Sequence, residues 1–247
     1  MRVEPDPLRS PSSSAPVEDV ATGLRASRTE RFEVALQTAV DSGAEGDRLL
    51  AELDGLKGWR QVLVVAALGD VRGPAGGTVL LRAISTEGSG ASDVRCAAAL
   101  ALAKRNEPGA TQALAGLVDD RDHAVRLYAL FGLAAIGDGS AYALVLARVR
   151  AMLARRRTLE AADFSPLTLG VTYLLRHVHQ DVERTPELTT LLRRGWQRMT
   201  PAEQGWFTEH WPDLHTGDNS ARPERPDARV LQRQLLAHPL YASPAVQ

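Results

Sequence analysis

The amino-acid sequence predicts an all-α fold, a right-handed α-solenoid of about five antiparallel helix pairs. Three observations lead there. Val, Leu and Ala recur at spacings of three and four through most of the chain, and no stretch sustains the alternation of a strand. Glycines such as Gly43, Gly46, Gly69, Gly90, Gly109 and Gly137 fall between the apolar runs, as helix C-caps and tight turns would place them. One stretch also repeats. Val94-Arg95, Ala98 and Leu102 return thirty-one residues later as Val125-Arg126, Ala129 and Leu133. The next segments keep that offset, Gly109-Ala110 and Leu114 being answered by Ser140-Ala141 and Val145. A unit of helix, turn and helix this short cannot cover its own apolar faces, whereas stacked neighbours can.

Each element follows from its punctuation. Residues 1–27 hold Pro5, Pro7, Pro11 and Pro16 around Ser12-Ser13-Ser14 and read as a disordered tail with too little apolar surface to offset its ordering entropy. Residues 28–212 read as the solenoid. Its first pair is expected from Arg28 to Val40 and from Asp47 to Leu56. A weak copy of the repeat runs from Trp59-Arg60 into Gly76-Gly77-Thr78-Val79-Leu80, and the strong copies cover roughly 91–119 and 121–150. The last pair is expected from Ser165 to Asp181 and from Pro186 to Gln197. Thr200-Pro201-Ala202-Glu203 then reads as an N-cap, a proline at the first helical position and the acid of a capping box. That helix should stop at Pro212. Residues 213–247 read as a linker with Pro223 and Pro226, then a short amphipathic helix from Ala228 to Ala237 or a tail.

The repeated residues resemble HEAT-like repeats, in the short form of proteins related to phycobilisome lyases. Asp122, Val125-Arg126 and Ala129 carry the resemblance, with Asp119 and Asp120 upstream. It implies that Arg60, Arg95 and Arg126 are structural, pairing with Asp93, Asp120 and Asp122 at adjacent helix starts. It also implies that second helices line a concave face. The patterned Trp, Gly and Tyr of tetratricopeptide repeats and the Thr-Pro-Leu-His of ankyrin repeats are missing.

Composition narrows the function. The 247 residues are 44% hydrophobic but only 5% aromatic, so Ala, Leu and Val must fill the interior. With 29 basic and 30 acidic side chains the net charge is -1, which argues against a generic nucleic-acid binder. That near-neutral total hides polarity. Residues 145–200 hold ten Arg against five acids, and residues 1–54 hold six Arg against eleven. Arg148, Arg150, Arg155, Arg156 and Arg157 belong to one second helix and its extension, and Arg193 and Arg194 to the last second helix. Such runs either coat a solvated helix face or hold an anionic partner, an acidic protein segment or a phosphate backbone.

The remaining motifs point to structure. Trp196, Trp206, Phe207 and Trp211 read as a cap on the open end of the array. His177 and His179 are two apart and diverge on a helix, and His210 and His215 flank a proline turn, so no metal site is expected. The His-Glu dipeptides of metal-binding HEAT hydroxylases are absent. Cys96 sits in an apolar helix face and reads as a packed thiol. No leader pattern or membrane-length apolar run is found, so a cytoplasmic location is expected. The reading is a non-enzymatic scaffold or adaptor for a protein partner, with no cofactor and an open oligomeric state. The alternative is a DNA-binding or DNA-repair protein resembling HEAT-like alkylpurine DNA glycosylases. A bilin-lyase role has no matching chromophore residues.

Overall fold

The computed structural model describes residues 15–156, 165–178, 184–214 and 226–237, and every regular element among them is helical. In chain order these are α1 (Ala15–Leu24), α2 (Thr29–Asp41), α3 (Ala44–Ala51), α4 (Trp59–Ala67), α5 (Gly76–Ala83), α6 (Ala91–Arg105) and α7 (Ala110–Gly116). They continue as α8 (His123–Ile136), α9 (Tyr142–Leu153), α10 (Pro166–Val178), α11 (Arg184–Gly195), α12 (Pro201–His210) and α13 (Ala228–Ala237). The first helices α4, α6, α8 and α10 pack side by side in a row. The second helices α5, α7 and α9 each pack onto the first helix of the following unit. The fold is thus an all-α solenoid of HEAT-like form.

α6 lies where two cores meet. Leu24, Phe32, Leu50, Leu68 and Leu80 form an N-terminal core that takes in Ala98, Ala101 and Leu102 of α6. Leu114, Leu130, Phe131, Val149 and Tyr173 form a second core that takes in Ala99, Leu100 and Ala103 of the same helix. A helix covered on all sides needs apolar residues all round, and small ones if its neighbours are to approach closely. This explains the run Ala97-Ala98-Ala99-Leu100-Ala101-Leu102-Ala103, all of it buried.

Three expectations need correction. Residues 15–24 form α1 and are no tail: Val20 and Leu24, four apart on one face, join the Phe32 core. The prolines and serines there conceal that apolar pair; residues 1–14 lie outside the described ones. The C-terminal helix α13 is likewise no appendage. It packs on α6 and α8, buries Leu235, and donates from Gln232 Nε2 to the Ala135 carbonyl at 3.2 Å. Finally, glycines do not supply the C-cap of the central helix. α6 ends on Asn106 in the left-handed region (φ 52°), while Gly90 and Gly109, at φ 74° and 83°, immediately precede α6 and α7. Asn reaches that region at low cost because its short amide bonds locally.

The most buried charges join three units. Asp47 of α3 is 0% exposed and pairs with Arg105 at the end of α6, 1% exposed, at 2.8 Å. Asp47 also accepts the Ala75 N–H at 2.8 Å and the Gly76 N–H at 3.1 Å, so it caps the positive end of α5. Arg105 Nη1 reaches the carbonyls of Leu68 and Val71, Nη2 that of Gly73, and Nε the Glu107 carboxylate. Beside it, Lys104 pairs with Asp70 at 2.8 Å. Removing one member leaves an uncompensated buried charge, which costs about 3–5 kcal/mol, whereas replacing both by apolar groups is close to neutral. Asp47→Ala should therefore shift urea unfolding, followed by circular dichroism, by about that amount. The double variant Asp47→Leu, Arg105→Met removes the unpaired charge but leaves the Ala75 and Gly76 N–H groups and the Leu68, Val71 and Gly73 carbonyls without these partners, so it should recover only part of the loss.

Candidate functional site

Arg95 and Arg126 bind the turns that precede their own helices, and Arg60 of α4 binds the turn that precedes α2. Arg60 donates to the carbonyls of Ala26 and Ser27 at 2.7 and 2.6 Å, and its guanidinium lies over the rings of Phe32 and Trp59. Arg95 donates to the Thr86 carbonyl at 2.9 Å and pairs with Asp120 at 3.1 Å, tying α6 to the turn before α8. Arg126 donates to the carbonyls of Asp120 and Arg121 at 2.6 and 2.9 Å. So the expected arginine-aspartate ladder has one carboxylate rung, Arg95–Asp120, and the other arginines bind turn carbonyls. Asp122 is an N-cap, accepting from Ala124 N–H at 2.8 Å and Val125 N–H at 3.4 Å. The Ser92 hydroxyl, and then the Ala124 N–H, hold its carboxyl below the usual range. Asp93 is exposed and has no ion pair among the described residues.

A second polar set closes the far end of α8. Arg176 donates to the carbonyls of Leu133 and Ala134, Tyr173 to that of Asp138, and His177 Nε2 lies 3.2 Å from that of Gly137. With Gln232 from α13, these side chains satisfy the carbonyls that a helix end leaves without partners. Burial pushes the Tyr173 hydroxyl up to about 12, so it stays a donor at neutral pH.

The basic run divides into engaged and open arginines. Arg148 pairs with Asp119 at 3.3 Å and Arg150 with Glu187 at 2.9 Å. Arg193 Nε donates to the Leu214 carbonyl at 2.6 Å. Arg155, Arg156 and Arg194 are exposed and carry no ion pair among the described residues; Arg157 lies outside them. α11 packs across the last turn of α9, where Arg198 donates to the Leu153 carbonyl at 3.3 Å. Arg155 and Arg156 therefore follow the end of α9, and Arg194 lies in the last turn of α11, which packs against α9.

The tryptophan group packs around α12. Phe207 and Trp211 are buried, and the Phe207 ring lies 5.1 Å from Trp206 and 6.3 Å from Trp196. Helix α12 starts with Thr200 accepting the Glu203 N–H at 3.1 Å while the Glu203 carboxylate accepts the Thr200 N–H at 3.0 Å. That carboxylate is buried and also takes the Ser165 hydroxyl, so the capping box is a packing contact as well. His210 stacks on Trp206 at 4.4 Å. Among the described residues no His, Cys, Asp and Glu group has the arrangement of a metal site, and no helix is long and apolar enough to cross a membrane. His179 and His215 lie outside those residues.

The residues that spacing alone missed are Asp47 and Arg105. Where Arg105 closes its helix, the next repeat has Ile136, so the register of the repeat suggests an apolar position there. The one visible signal was Gly73-Pro74-Ala75-Gly76: a Cβ on Gly73 or Gly76 would collide with the Asp47 carboxylate.

Two outcomes follow. Burial, and then the Asp122 and Asp93 carboxylates, push the Cys96 thiol up to about 12. Its labelling by a disulfide reagent at pH 8 should be slower in the folded chain than in denaturant by roughly 100-fold or more, because only the thiolate reacts. Asp122→Ala should cost about 1 kcal/mol in chemical denaturation at pH 7, as loss of an N-cap does. Because the folded carboxyl is lowered, its contribution is complete above the ordinary carboxylate range and fades as the pH falls through the lowered value. The gap between the two proteins should narrow accordingly on acidification.

Comparison with known proteins agrees with the geometry. The HEAT repeats family matches residues 47–134, from the buried Asp47 through most of α8. No curated protein matches the chain. The matched stretch holds the first helices α4 and α6 and most of α8, the second helices α5 and α7, and the Arg95–Asp120 rung. On this evidence residues 47–134 are similar to HEAT repeats, and the helical rows on either side continue that packing.

Proposed function

We propose that this protein is a non-enzymatic scaffold that holds an acidic segment of a protein partner where α9 and α11 end. One observation carries the reading: Arg155, Arg156 and Arg194 are exposed with no ion pair among the described residues, while Arg60, Arg95, Arg105, Arg126, Arg148 and Arg150 are engaged within the fold. Arginines already bound to turns and carboxylates are not available to a ligand. Three open guanidinium groups on neighbouring helix ends suit a flexible acidic chain, each as a solvated pair worth about 0.2–1 kcal/mol. HEAT repeats present extended surfaces of this kind, and protein binding is their common use.

The test is a fluorescence-anisotropy titration of the full chain with an Asp/Glu-rich peptide and, separately, with a short DNA duplex. The acidic peptide should bind, weaken with salt, and lose about tenfold or more in affinity to the variant Arg155→Glu, Arg156→Glu, Arg194→Glu. An unchanged affinity would remove the patch from the interface. Tighter binding of the duplex at equal salt would assign the arginines to a phosphate backbone instead. The substituted positions are exposed, so the unfolding midpoint should stay within about 0.5 kcal/mol of the parent.

A further inference from the structure

A second surface lies on the opposite side of each unit, along the first helices. Between α4, α6 and α8 runs a groove of about 510 Å³. Val62, Val94 and Leu100 make its apolar floor, and Trp59 and Tyr128 line it from α4 and α8. Trp59 is 47% exposed, although its ring rests edge-on against Phe32 at 5.5 Å. An exposed tryptophan on a firm support is the kind of residue that anchors a partner.

The rim is acidic. Glu87 and Asp93 line the groove, and both are exposed with no ion pair among the described residues. The nearest arginines do not offset them. Arg95 is spent on Asp120 and the Thr86 carbonyl, and Arg60 on the carbonyls of Ala26 and Ser27. The groove lacks the convergent buried polar groups with which a small-molecule pocket orients its ligand.

The chain itself demonstrates what this row of helices accepts. α13 lies on α6 and α8 as a short amphipathic helix, with Leu231 and Leu235 turned to the core and Arg229 and Arg233 exposed. On α8, Ala124 and Tyr128 of the groove are four apart, and Ala135, whose carbonyl takes Gln232, lies seven further on. Those spacings keep all three on one helix stripe. The groove and the seat of α13 thus involve the same two helices, α6 and α8.

We infer that this groove is a docking site for a basic amphipathic helix of a partner protein. Its apolar face fills the space between Trp59 and Tyr128, and its Lys or Arg side chains meet Glu87 and Asp93. Anchors at i, i+3, i+4 and i+7 are what a helix lays into such a groove.

The test uses the full chain and three labelled peptides of about 14 residues. One is a Leu/Lys amphipathic helix, one has Glu at every Lys position, and one shuffles the Leu/Lys order. The Leu/Lys helix should bind about tenfold or more tighter than either of the others. Trp59→Ala should weaken it by about tenfold or more. Glu87→Lys with Asp93→Lys should reverse the preference between the Lys and Glu helices, and these exposed sites leave folding intact, as circular dichroism would verify. Equal binding of the Lys and Glu helices, equal binding of the shuffled peptide, or an affinity unmoved by the Glu87/Asp93 reversal would each overturn the inference. The reversal of Arg155, Arg156 and Arg194 should leave this binding unchanged; its loss there would place the peptide at the other surface and overturn the inference as well.

Discussion

The buried Asp47–Arg105 pair is the constraint around which the described repeats are arranged. Its members come from α3 and the end of α6, and its hydrogen bonds reach the start of α5 and the turn between α4 and α5. A solenoid is held mostly by contacts between neighbours. This pair adds a polar contact over a longer range, from α3 across the α4–α5 turn to the end of α6. Desolvating two charges is expensive, so the pair persists only because its remaining donors and acceptors are satisfied. Gly73 and Gly76 make that possible by leaving room for the carboxylate. What the pair supplies is register: α3, α5 and α6 can satisfy it in one relative placement.

The same economy governs the other joins. Turns between helices expose carbonyls, and long side chains from neighbouring units bind them. Arg60, Arg95 and Arg126 do so at the starts of first helices. Arg176, Tyr173, His177 and Gln232 do so at the end of α8. An alanine-rich interior supplies close packing but little directionality, because Ala and Leu contacts tolerate sliding. Hydrogen bonds to turn carbonyls do not, so direction and spacing along the array come from the polar side chains at its edges.

Charge then separates structure from surface. Several arginines of the repeats are occupied by carbonyls or carboxylates, whereas Arg155, Arg156 and Arg194 near the ends of α9 and α11 are exposed with no ion pair among the described residues. In the groove along the first helices the charged lining residues are Glu87 and Asp93, beside an exposed tryptophan. The two proposed surfaces thus carry charge of opposite sign. A scaffold with such surfaces discriminates between partners by sign of charge before any close contact forms.

By itself the sequence determined the helical class, the repeat and most element positions, because these depend on local spacing. Thr200 and Glu203 announced the start of α12, and Val125-Arg126 with Ala129 announced α8, from a few adjacent residues. The tertiary structure alone decided which arginines are structural and which are free, since that depends on what lies opposite each side chain. Arg148 and Arg155 look alike in the chain, yet among the described residues only the first pairs with an acid, Asp119. It alone decided that Asp47 and Arg105, 58 positions apart, would share one buried bond. It also decided that α1 and α13 belong to the packed array. Both are short and set among prolines, and such helices gain their stability from the surface they cover rather than from their own residues.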